Sequence, residues 1–146
     1  MAIHLHRPYA LIIEDELLSG LGLQAQLSDL GYRSFAFAGT ERQALEQAEF
    51  ACPDLVTVDV RLLDGNGIDA VEAILGRCGP LPVVYVTGDR SALSGLGDAV
   101  VIEKPVSDHA LADAVLRAKA SPAAPRRDPA APAPEDRALA LSAPQP

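Results

Sequence analysis

The sequence predicts an α/β fold, a doubly wound parallel sheet of five strands with helices on both faces. Three observations carry this. Short apolar runs recur along residues 8–120, segments of helical periodicity separate them, and Gly, Asn, Asp or Pro punctuates the joints. Repeated strand–helix alternation with short connections is the pattern of a parallel sheet covered by helices on both sides.

The first strand is the apolar run Ala10 to Glu14, too continuous for a sheet wetted on one face. A helix follows over about Glu16–Leu30, with Gly31 placed to close it, although its apolar residues cover more than one clean stripe. Ser34–Ala38 is the second strand. Thr40 and Gln43 form a capping-box pattern that starts a helix with Ala44, Leu45, Ala48 and Ala51 inward. Leu55–Asp59 is the third strand, Asp64 to Gly67 a turn cluster, and Ile68, Val71 and Leu75 mark the next helical face. Pro82–Thr87 is the fourth strand. The stretch after it, rich in glycine, leaves room only for a shortened fourth helix near Ser91–Leu96. Val100–Glu103 is the fifth strand. Ser107 caps a last helix whose Leu111, Ala114, Val115 and Ala118 share one face.

Residues 1–7 read as an N-terminal extension, 8–120 as the folded domain and 121–146 as a disordered Pro/Ala-rich tail in which seven residues are proline. The net charge is −8, its lysines are Lys104 and Lys119, and no basic stripe exists, so nucleic-acid binding by this chain is not expected. No apolar run is long enough to span a membrane, and no leader pattern opens the chain; a cytoplasmic protein is expected. Cys52 and Cys78 lack a CxxC spacing and are expected to be free thiols, as suits a reducing compartment. His4 and His6 read as part of a frayed end and His109 as solvent-facing.

In a doubly wound sheet the ligand site lies outside the carboxyl ends of the strands. Those ends carry Glu14, Asp15 and Glu16, then Ala38 and Gly39, then Asp59, then Thr87 and Gly88, then Lys104 and Pro105. Carboxylates gathered at one edge repel one another unless a cation sits among them, and hard oxygen donors suit Mg²⁺. A carboxylate can also attack phosphorus, giving an acyl phosphate, with lysine, hydroxyl and backbone N–H groups stabilising the phosphoryl oxygens. Glu16 reads as a first-turn helix acid rather than a ligand.

Four segments in this order, LIIEDE at 11–16, DLVTVDVRLLDGNGID at 54–69, PVVYVTGD at 82–89 and IEKPV at 102–106, resemble the receiver domain of two-component response regulators over about residues 8–119. The resemblance implies a CheY-like strand order 2-1-3-4-5. It implies that Asp59 is the phosphoacceptor, and that Asp15, Glu14, Asp59 and the backbone carbonyl of Arg61 hold Mg²⁺, Glu14 often through water. Thr87 would bind the phosphoryl group and reorient, Lys104 would pair with its oxygens, and the peptide bond to Pro105 would often be cis. The implied partners are a histidine kinase or histidine phosphotransfer protein and a downstream protein target, with the chain a monomer or weak dimer.

Val101 stands where most receivers carry an aromatic, and Leu63 where proline is common. Tyr85, Thr87 and Gly88 resemble instead the threonine-glycine pattern of a single-domain subfamily found mainly in alphaproteobacteria; Tyr85 and Gly88 are therefore expected to modulate the switch. Arg61 and Asp89 would overhang the site from opposite sides, with opposite charges, and are expected to modulate it as well. Three other functions fit less well. A haloacid-dehalogenase-like phosphatase needs an acid where Arg61 stands. A phosphate-independent interaction module would not need Glu14, Asp15, Asp59, Thr87 and Lys104 together. A flavodoxin-like carrier needs a hydroxyl- and glycine-rich loop after the first strand.

Overall fold

The computed structural model describes residues 7–89, 91 and 96–125. Among them run β1 (Tyr9–Ile13), α1 (Leu17–Asp29), β2 (Ser34–Ala38), α2 (Glu41–Phe50), β3 (Leu55–Asp59), α3 (Gly67–Cys78), β4 (Val83–Thr87), β5 (Val100–Glu103) and α4 (Asp108–Ala120). The five strands form one parallel sheet in the order β2-β1-β3-β4-β5. The fourth helix expected near Ser91–Leu96 lies largely outside the described residues, as do His4, His6 and residues 126–146.

The two-residue alternation of the strands divides the core. Ala10 and Ile12 of β1 point to one face, where they meet Leu23 and Leu27 of α1 and Leu111, Ala114 and Val115 of α4. Leu11 and Ile13 point to the other, against Ala44 and Ala48 of α2 and Val71, Ile74 and Leu75 of α3. Burial on both faces explains why β1, β3 and β4 read as continuous apolar runs; each fully buried Leu, Ile or Val contributes roughly 1.5–3 kcal/mol. Asp54 fixes the β1–β3 register by accepting from the Tyr9 N–H through its carboxylate, at 2.8 Å, while its own N–H donates to the Tyr9 carbonyl.

The helix ends follow their capping residues. Gly31, at φ +106°, and Tyr32 donate to the Ser28 and Leu27 carbonyls, and Tyr32 packs with Leu27 beneath the turn. Thr40 accepts from the Gln43 N–H as a capping box requires, but the Gln43 side chain bonds the Gly39 N–H rather than that of Thr40. Asn66 and Ser107 cap α3 and α4. Gly67 opens α3 against the end of β3, where a Cβ would collide with the Asp59 carbonyl oxygen. Ala51, expected inward, is exposed at the end of α2.

The expectation for the cysteines is corrected. Cys52 and Cys78 are not free thiols; they form a disulfide, with Cα atoms 5.8 Å apart. Both helices α2 and α3 return antiparallel to the strands, so their C-terminal ends arrive side by side, a proximity that a separation of 26 residues conceals. Past α4 the described chain keeps packing. Ala123 exchanges two backbone hydrogen bonds with Leu81, at 2.9 and 2.7 Å, and packs against the core on the α2/α3 face. The proline-rich composition reports that helix cannot continue there; it does not exclude an extended strap.

Candidate functional site

The carboxyl ends of β1, β3 and β5 bring Glu14, Asp15, Asp59 and Lys104 together. Carboxylate oxygens of the three acids lie within 4.8 Å of one another. Lys104 Nζ donates to Glu14 Oε1 at 2.9 Å and to Asp59 Oδ2 at 2.8 Å. The Arg61 N–H donates to Asp59 Oδ1 at 3.0 Å, and the Leu63 N–H to Asp15 Oδ2 at 2.6 Å. The loop after β3 therefore closes over the acids through its own backbone. It is narrowed by an antiparallel bridge between Arg61 and Asn66, and its Asn66 N–H donates to the Glu41 carboxylate at the start of α2.

Position sets the electrostatics. Glu14 is buried, and its pKa is pushed up to about 7, first by burial and then by its hydrogen bond with Asp59, against the opposing pull of Lys104. Burial works to lower the Lys104 pKa, but its bonds to Asp59 and Glu14 outweigh burial and raise it. Three carboxylates within 4.8 Å of one another, two of them bonded to the Lys104 ammonium, make an oxygen-only, charge-rich donor set of the kind a hard divalent cation takes. The residues present fit such an ion.

Thr87, expected at the phosphoryl group, is buried at the end of β4, and its hydroxyl both donates to the Asp89 carbonyl and accepts from the Asp89 N–H, each at 3.1 Å. The Thr87 carbonyl accepts from the Lys104 N–H, which ties β4 to the lysine strand. Arg61 Nη2 and Asp89 Oδ2 form an ion pair at 2.7 Å between the loops that follow β3 and β4. Hydrogen bonds from Ser91, and then Arg61, hold the Asp89 carboxyl below its usual range. Tyr85 is buried beside Val101 on the α3 face, Gly88 is exposed, and the Lys104–Pro105 bond is cis. Glu16 is the exposed N-cap of α1 and His109 faces solvent.

A feature the strand-end reading passed over lies beside the lysine. A groove of about 450 Å³ runs between α1 and the segment 104–106, lined by Gly22, Leu23, Gln26, Val86 and Pro105. At the start of the same helix, Leu17 and Leu18 are 71% and 79% exposed. The signal was present in the sequence as the excess of apolar residues that spoiled a single stripe on α1.

The fold and the strand-end acids define a receiver-type module, and the sequence comparisons agree: the family described as the response regulator receiver domain matches residues 10–116, and the chain belongs to it. It is 33% identical over 106 residues to the transcriptional regulatory protein PdtaR of Mycobacterium tuberculosis, covering 72% of this chain and 52% of that protein. It is 38% identical over 79 residues to the phyllosphere-induced regulator PhyR of Methylorubrum extorquens, covering 53% of this chain and 29% of that protein. The chain thus spans about half the length of the first relative and less than a third of the second. The solution structure of the Erythrobacter litoralis PhyR receiver domain superposes with a TM-score of 0.71 at 30% identity, covering 84% of this chain and 97% of that one. No helix among the described residues is long and apolar enough to cross a membrane.

Proposed function

We propose that this chain is the receiver of a phosphorelay, cytoplasmic, whose Asp59 takes a phosphoryl group from a histidine kinase or histidine phosphotransfer protein. One observation carries the reading. The Asp59 carboxylate is held between the Lys104 ammonium and the Arg61 N–H, within reach of two further carboxylates.

A carboxylate oxygen of Asp59 attacks phosphorus while the bond to the donor nitrogen breaks and the imidazole leaves with its electron pair. Lys104, already aimed at Asp59, pairs with the phosphoryl oxygens. Mg²⁺, held by Glu14, Asp15, Asp59 and the Arg61 backbone carbonyl, would supply charge neutralisation for the transferred group. The Thr87 hydroxyl exchanges its bonds to the Asp89 backbone for a phosphoryl oxygen, which releases Asp89. Tyr85, paired with Val101 across β4 and β5, transmits that movement in place of an aromatic at 101. The chain is then a switch and not an enzyme with a turnover substrate. Its output is a protein–protein contact, because a net charge of −8 disfavours nucleic acid. The exposed Leu17 and Leu18, at the start of the helix that lines the groove, offer an apolar docking face for the donor.

The test is labelling by acetyl phosphate in Mg²⁺, followed by intact mass. The wild-type chain should gain one phosphoryl group, and Asp59→Asn none, since the amide is a poor nucleophile. Asp15→Ala should lose most of the Mg²⁺ dependence. Labelling of Asp59→Asn at the wild-type rate would refute the reading.

A further inference from the structure

The Cys52–Cys78 bridge lies at the sheet end away from the acids, and the proposed phosphoryl chemistry makes no use of it. Cys52 is exposed in the loop between α2 and β3; Cys78 is half-buried at the last position of α3, packed against the core. We propose that the pair is a reversible thiol-oxidation site, opened and closed by exchange with low-molecular-weight thiols and disulfides while the domain stays folded.

Accessibility fixes the order of events. The Cys52 thiolate attacks one sulfur of a small disulfide such as oxidised glutathione, expelling one thiolate and forming a mixed disulfide. The Cys78 thiolate then attacks the Cys52 sulfur, closing the protein bridge and expelling the second thiolate. Two protein thiols are oxidised and one small disulfide becomes two small thiols; each thiolate released takes up the proton its protein counterpart gave up. Reduction by a dithiol is the reverse.

The geometry supports a site of this kind. The Cα separation of 5.8 Å lies within the disulfide range without movement of the backbone. One sulfur belongs to an exposed loop residue, so a small reagent reaches it without unfolding the core. The bridge also has a mechanical consequence. At the acid end, α2 and α3 are joined through the Glu41 carboxylate and the Asn66 N–H; at the other end the disulfide joins them covalently. Oxidation therefore adds a covalent clamp at the far end of a helix pair already joined at the acid end, whose α3 begins at the loop carrying Arg61 and Leu63.

The experiment uses the full chain. After treatment with dithiothreitol under native conditions, maleimide labelling should count two thiols, and the melting midpoint should fall by about 10 °C, as expected from opening a loop of this length. Oxidised glutathione should restore the bridge, with loss of two hydrogens by mass and recovery of the midpoint. Cys78→Ser should acquire one glutathione at Cys52, at least tenfold faster than Cys52→Ser acquires one at Cys78. A bridge that opens only in denaturant, thiols that stay free in oxidised glutathione, an unchanged midpoint, or equal rates in the two variants would overturn the proposal.

Discussion

Arg61 and Asp89 form an ion pair at 2.7 Å that joins the residue two places after Asp59 to the residue two places after Thr87. Both side chains are substantially exposed, so the pair contributes little to stability. Its position matters more. Arg61 also bonds Asp59 through its own N–H, so the pair sits beside the proposed phosphoryl site, where an attacking water must come into line. Arg61→Ala and Asp89→Ala should each speed dephosphorylation, and the double variant should not add their effects. Decay of the phosphorylated mass in all three variants checks this; strict additivity or unchanged rates would contradict it.

The raised Glu14 pKa makes stability fall with pH over a defined window. An acid whose folded pKa lies above its unfolded value favours the folded state in its protonated form. That advantage is complete below the ordinary value of 4.5 and is lost as pH rises through about 7. The loss is of order 3 kcal/mol. Lys104, raised from 10.5, acts only in the alkaline range and leaves this window to Glu14. In chelator, Glu14→Gln should therefore gain in midpoint relative to wild type on going from pH 5 to pH 8. A difference that stays constant across that range would show that Glu14 ionises normally.

The apolar face of α1 should separate docking from chemistry. Leu18 is exposed and outside the core, so Leu18→Glu should fold normally. Labelling by acetyl phosphate should be unchanged, while transfer from a phosphorylated histidine phosphotransfer protein should slow at least tenfold. Equal slowing with both donors would place the defect in the site itself.

The strap at Ala123 gives a truncation test. Its two backbone bonds to Leu81 are each worth about 1 kcal/mol net. A chain ending at Pro125 should therefore melt roughly 5 °C above one ending at Ala120. Coincident melting curves would mean the pairing with Leu81 adds nothing.

How much of this was legible in the sequence depended on whether the cause was local. Strands buried on both faces declare themselves as apolar runs, and Thr40, Gly31 and Ser107 mark helix ends through their own side chains or backbone freedom. The acids and Lys104 could be gathered from sequence because topology alone places strand ends on one edge. The Cys52–Cys78 bridge and the Leu81–Ala123 pairing were not legible, because each depends on where two returning segments meet. The shift of the Gln43 side chain from the Thr40 N–H to that of Gly39 is likewise a matter of ångströms that no pattern encodes.

The central claim is that Asp59, among the three acids of the cluster, carries the phosphoryl group. Borohydride reduces an aspartyl phosphate to homoserine and leaves a free carboxylate unchanged. Peptide mapping of the acetyl-phosphate-treated chain after borohydride should find homoserine at position 59, with Asp15 intact. Phosphate-dependent reduction at Asp15 or Glu14, or none at position 59, would contradict it.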